Sequence, residues 1–139
     1  MSEKMNAKTK AAASFSIKSW DEKPYQETGT DRKLTQAHVE QSYQGDMVGE
    51  SVVKYLMCYT PNGASFVGIE IFTGAMGGRE GSFVLQHVGE DEGSGVRSRY
   101  FVVAGSGTGG FEGLRGEGAF QLSGHAESYP MELAYWFER

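Results

Sequence analysis

Two adjacent glycines, Gly77 and Gly78, separate two of the most apolar runs in the chain, and they constrain the fold more than any other feature. Residues 65–88 read SFVGIEIFTGAMGGREGSFVLQHV. Glycine accepts positive φ at no steric cost, so a two-residue Gly-Gly loop predicts a tight hairpin of the I′ or II′ type. With that loop Met76 faces Arg79, Phe72 faces Phe83 and Glu70 faces Leu85. Side chains alternate along a strand. One face then carries Phe66, Glu70, Phe72, Phe83, Leu85 and His87, and the other carries Val67, Ile69, Ile71, Val84, Gln86 and Val88. Both faces are largely apolar, unlike a hairpin with one wet side. Each therefore needs a cover: a lumen for one, a second subunit or a packed segment for the other.

The rest of the composition agrees with a sheet protein. Among 139 residues there are 20 glycines and only 3 prolines, and aromatics make up 12%. That mix suits many strands and turns in one domain. The predicted organisation is a flexible N-terminus over residues 1–9 and one domain over 10–139. A net charge of −5, with no basic patch, argues against nucleic acid and against an anionic membrane surface as partners. The lone cysteine, Cys58, makes no internal disulfide, and the N-terminus lacks the apolar run of a signal peptide. No stretch approaches a membrane span. These features predict a soluble, cytoplasmic protein.

Along the chain, residues 11–20 alternate as a strand, with Phe15 and Ile17 on one side. Residues 21–32 (DEKPYQETGTDR) read as a polar loop. Further strands are predicted over 34–44, 48–60, 65–76, 79–88, 95–103, 117–123 and 131–137. Their turns are expected at Gly45-Asp46, Asn62-Gly63, Gly77-Gly78 and the acidic GEDEGSG of 89–95. The glycine-rich 104–118 is a turning segment, with one short helical turn over Phe111–Leu114. It lacks the lysine and Ser/Thr of a phosphate loop. Eight sequential antiparallel strands predict an all-β, up-and-down, eight-stranded barrel, which leaves no open edge. A sandwich is the second choice.

Extending the turn arithmetic gathers one face: His38, Glu40, Val53, Tyr55, Met57, Tyr59, Phe66, Glu70, Phe72, Phe83, Leu85, His87 and Tyr100. Tyr55 is expected opposite Glu70, with Ser98 and Tyr100 beside His87 and Leu85. The other face takes Gln41, Glu50, Lys54, Arg97 and Arg99, so the first face is assigned to the lumen. Any β-bulge reverses the parity beyond it. Within the lumen Glu70 is the candidate acid/base, because desolvation among rings raises a carboxyl toward the working range. Tyr55, Tyr59, Phe66, Phe72, Phe83, His87, Tyr100, His38 and Glu40 are the candidate ligand-binding residues. The bland reading of Glu70 is a buried acid satisfied by Tyr55 or His87. No HxH or HExxH spacing supports a metal site, and no cofactor is expected. Cys58 reads as a small buried apolar residue on the outer face beside Val67.

At these residues the chain resembles a known family. SIKSWDEKPY (16–25), KLTQAHVEQSYQGDMVGES (33–51), SFVGIE with GGREGSFVLQH (65–87) and GSGTGGFEGLRGEG (105–118) together resemble an uncharacterised bacterial family of unknown function. Its members are similar in fold to allene oxide cyclases and dirigent proteins, eight-stranded barrels with an internal cavity. Gly107 to Gly116 (GTGGFEGLRG) resembles the glycine-rich GTGxFxGARG-like turn of those relatives. The resemblance implies an allene oxide cyclase-like barrel and a homo-oligomer. It carries over no catalytic residue, because the relatives' lumen residues match no motif here.

Two functions follow. The first is a barrel that binds a small, mostly apolar molecule in its lumen, with a cofactor-independent isomerase or cyclase built on Glu70 as its catalytic form. The second is a non-catalytic interaction barrel, filled by its own side chains and acting as a homo-oligomer. Whether any reaction is catalysed stays open. The apolar outer face, with Val52, Leu56, Val67, Ile69, Ile71 and Val84, favours a C2 dimer under either function.

Overall fold

The computed structural model describes residues 8–124 and 126–138. They form β1 (Thr9–Gly29), β2 (Arg32–Gly45), β3 (Met47–Thr60), β4 (Gly63–Met76), β5 (Arg79–Asp91), β6 (Val96–Val102), β7 (Thr108–Gly109), β8 (Leu114–Leu122) and β9 (Tyr129–Phe137). Every pairing is antiparallel. The eight longer strands follow one another round a ring that β4–β5 and β1–β9 pairing closes, while the two-residue β7 leans on β5. The described residues include no helix long and apolar enough to cross a membrane.

The central hairpin has the predicted register: Met76 pairs with Arg79, Phe72 with Phe83 and Glu70 with Leu85. Gly77 and Gly78 take φ of 61° and 79°, the left-handed values that this turn requires. Elsewhere the turns shift the register. β3 and β4 are joined through Pro61 and Asn62, with Thr60 opposite Gly63, so Tyr55 faces Gly68 and Val53 faces Glu70. The shift is two residues, and parity survives. β5–β6 also slips by two, leaving His87 opposite Tyr100 and Gly89 opposite Ser98.

The β2–β3 turn slips by one, and parity does not survive there. Gly45 stays in β2 opposite Ala13 of β1. Asp46 alone makes the corner, tied to β1 by its amide to the Ala12 carbonyl (3.0 Å) and by its carboxylate accepting the Ala12 amide (2.9 Å). His38 consequently pairs with Lys54 and Glu40 with Val52 on the outer wall. Val39, Gln41 and Tyr43 turn inward instead, so the outward placement of Gln41 is also corrected.

Other elements differ in extent. The polar stretch 21–29 continues β1 rather than forming a loop. Register shifts after Ile17, Pro24 and Glu27 absorb the irregularity, so Pro24 need not break the ladder. β8 begins at Leu114, earlier than expected. Cys58 is exposed between Leu34 and Ser65, not buried beside Val67. Residues 1–7 of the expected flexible terminus lie outside the described residues, and Thr9 already belongs to a strand.

A small ring has little interior space, and the glycines explain how large rings fit. Several inward aromatics sit directly opposite a glycine: Tyr43 and Gly49, Tyr55 and Gly68, Phe66 and Gly89, Tyr100 and Gly118. A Cβ on Gly68 would lie 2.6 Å from the Tyr55 ring, one on Gly89 2.5 Å from the Phe66 ring, and one on Gly118 2.5 Å from the Tyr100 ring. The rings of Tyr55, Phe66 and Tyr100 occupy the space that a side chain at the facing glycine would fill.

The interior is layered. At one end Phe72, Phe83, Phe111 and Leu114 are almost fully buried and seal the ring. Full burial of such side chains stabilises by about 2–3 kcal/mol each. Phe111 is delivered by the glycine-rich segment, where the Phe111 carbonyl accepts the Leu114 amide in the expected short turn. That segment is strapped to β5 through Ser106 and Thr108. The middle layer is polar, and the far end opens into a cleft.

Candidate functional site

The open end arises because β1 outruns its partner. β9 pairs with β1 only from Thr9 to Phe15, so beyond Phe15 the strand has β2 on one side alone. The resulting gap is a cleft of about 830 Å³, bounded by β1, the inner faces of β3 and β4, the β5–β6 turn and the segment linking β8 to β9. Its walls include Phe15, Trp20, Tyr55, Phe66, Phe120 and Tyr129. Trp20 stacks on Tyr55 at 6.0 Å and 25°, and Tyr55 meets Phe66 edge-on at 5.3 Å.

Glu22 fixes two of the rings. Its carboxylate accepts hydrogen bonds from Trp20 Nε1 (2.9 Å), Tyr59 OH (2.5 Å) and Thr35 Oγ1 (2.6 Å). Partial burial pushes the Glu22 carboxyl up, but the bonds from Thr35, Tyr59 and Trp20, with Lys33 nearby, outweigh it and hold the carboxyl below its ordinary value. Burial first, and then Glu22, raise the Tyr59 phenol, which stays a donor. Both rings are thus held by the protein's own hydrogen bonds.

Glu70 lies in the middle layer. One oxygen accepts from Tyr43 OH at 2.6 Å, and the other is 2.7 Å from His87 Nε2. His87 Nδ1 reaches Ser98 Oγ at 3.4 Å. All four side chains are buried. Burial, followed by the Glu70 charge and its hydrogen bond, holds the Tyr43 phenol well above the ordinary tyrosine range, so it remains a donor. Glu70 and His87 do not line the cleft. One layer of rings separates them from it: Tyr55 lies 6.0 Å from His87, and Phe15 lies 5.8 Å from Tyr43.

The predicted site residues therefore divide into three groups. Tyr55, Tyr59 and Phe66 line the cleft. Phe72 and Phe83 belong to the sealed end, while His87 and Tyr100 join Glu70 in the buried layer. His38 and Glu40 are on the outer wall, 3.5 Å from each other and partly exposed. Sequence reasoning missed Trp20, Gln41 and Phe120. Phe120 falls in a predicted strand, but nothing local reveals which way it points. Trp20 was readable only as a strand end, because the shift after Ile17 turns it inward. Among the described residues no three His, Cys, Asp or Glu side chains gather where a metal ion would sit.

Comparison with known proteins adds a family and no chemistry. The family described as "Protein of unknown function (DUF3224)" matches residues 11–135. The fold is similar to the crystal structure of a DUF3224 protein of unknown function from Shewanella oneidensis MR-1, with a TM-score of 0.75 and 28% identity, covering 95% of this chain and 98% of that one. No curated protein matches the chain.

Proposed function

The chain belongs to the DUF3224 family, a family of unknown function, and from that premise we propose that it binds a small, mostly apolar molecule in the open end of its ring. The carrying observation is the aromatic cleft of about 830 Å³ whose Trp20 and Tyr59 rings are pinned by Glu22. Binding clefts of this size are apolar with a few fixed polar groups. On this reading the closed meander is a β-barrel of the allene oxide cyclase-like kind, with half its lumen filled and half available, and it works in the cytoplasm. Glu70 is a positioning residue here. Both its oxygens are engaged one layer beneath the cleft, where it orients Tyr43 and His87 under the binding surface. An isomerase or cyclase using Glu70 would first have to part the rings above it. The test is binding of neutral 1-naphthylmethanol, followed by tryptophan fluorescence and calorimetry, in the native protein and in Met57→Trp, which fills the cleft. Native binding lost in the variant supports the proposal, and equal binding in both overturns it.

A second reading, an interaction barrel that acts as a homo-oligomer, has its own observation. On the outer wall Leu56, Val67 and Val88 stand side by side, as do Val52, Ile71 and Val84, with Ile69 between the rows. Ile69 is 49% exposed and Leu56 51%. A second copy is the natural cover, because such rows are self-complementary about a two-fold axis. Light scattering should give a dimer that Ile69→Lys converts to a monomer. A native monomer rejects this reading and leaves the cleft untouched.

A further inference from the structure

We propose that the cleft selects a cation: an amine or quaternary ammonium carried on an apolar or aromatic body. The inference rests on the cleft reading above and adds the sign of the charge. Among the described residues lining the cleft, the charged ones are Asp91 and Glu127, and none is basic. Among the described residues, two neighbouring cations are already paired. Arg97 bridges Glu90 at 2.9 Å and Glu92 at 3.5 Å, and Lys18 is bound by Glu50 at 2.8 Å. Among the described residues, a carboxylate or phosphate entering here would meet these two acids, and the nearby Lys33 ammonium is seated over the Tyr59 ring at the rim.

The walls themselves favour a cation. The face of an aromatic ring is negative, and an ammonium within about 6 Å of the centroid is attracted to it. Trp20 and Tyr59 both donate hydrogen bonds to the Glu22 carboxylate, which draws the protons outward and leaves the rings richer in electrons. The chain supplies an example, since the Lys33 ammonium already rests 5.2 Å above the Tyr59 ring. That contact occupies one ring at the rim. The Trp20–Tyr55 stack, Glu127 and Asp91, whose Oδ1 also accepts the Gly93 amide at 2.9 Å, face the space a ligand would enter.

Three probes of one shape test the charge: 1-naphthylmethylamine, 1-naphthylmethanol and 1-naphthoate, titrated into the full-length protein at neutral pH and low salt. The amine should bind about tenfold tighter than the alcohol, and the acid weakest of the three. In Asp91→Asn/Glu127→Gln the ratio of amine to alcohol affinity should shrink several-fold. Equal binding of amine and alcohol, preference for the acid, or an advantage unchanged in the double variant overturns the cation inference and leaves the cleft reading standing. Failure of all three probes to bind overturns both.

Discussion

Glu70 is the residue on which the middle of the molecule depends. A buried carboxylate is tolerated only when its oxygens are satisfied. Tyr43 and His87 do this from different strands, so one acid links β2, β4 and β5 across the interior. Removing it strands a phenol and an imidazole with no solvent to take its place. Glu70→Ala should therefore cost about 3 kcal/mol in urea unfolding. Glu70→Gln, which keeps an acceptor for Tyr43, should cost about half of that. A loss below about 1 kcal/mol for the alanine variant would show that the layer is not held by this acid. Part of this was legible in the sequence. The inward reading of a lone acid between Phe66 and Phe72 offered Tyr55 or His87 as its partner; His87 does bond it, while Tyr55 faces Gly68 instead. Tyr43 was not visible, because it sits beyond the turn at Asp46, whose odd length reverses the face of β2.

At the scale of elements, the pairing of aromatic rings with glycines across strands sets how tightly the ring closes and how wide the cleft stays. Tyr55 is the clearest case, since its ring lies on Gly68 and forms part of the cleft wall. Gly68→Ala places a methyl 2.6 Å from the ring. The ring must swing toward the cleft, at a cost of about 1–3 kcal/mol. Binding of 1-naphthylmethanol should weaken severalfold in that variant, while Gly29→Ala, whose added Cβ would come no nearer than 3.7 Å to a neighbour, should leave binding unchanged. Equal binding in Gly68→Ala and native protein would place the ligand away from Tyr55. The hairpin at Gly77-Gly78 was readable from local chemistry, because two glycines in a row admit few turns. The polar ribbon 21–29 was not. Its strand character comes from pairing with β2, against a local composition that favours a loop.

For the whole molecule, the buried tyrosines make stability fall at high pH. Burial first, and then the Glu70 charge, raise the phenols of Tyr43 and Tyr55 above the ordinary 10.0. Tyr100 is raised by burial, against its bond to the Glu132 carbonyl. Folded pKa values above unfolded ones contribute stability that is complete below about pH 10 and is lost as pH rises beyond it. Each group steepens the loss by up to about 1.4 kcal/mol per pH unit. Denaturant midpoints should be insensitive to these groups below pH 10 and fall above it. The tyrosinate absorbance of the three should arrive together with loss of the β-sheet signal. Smooth ionisation of all tyrosines in a protein that keeps its sheet signal would contradict the burial described here.

By itself the sequence determined the all-β class, the central hairpin register and the inward face of β4 and β5. These follow from two-residue periodicity and a turn that only glycine makes comfortably, both of them local properties. Only the tertiary structure decided which residues share the open cleft and which are sealed away. That depends on the odd turn at Asp46, on the register shifts in β1, and on the β1–β9 pairing ending at Phe15, each a matter of how distant strands meet. A one-residue difference in such a meeting moves every side chain of a strand to the opposite wall, and nothing within the strand records it.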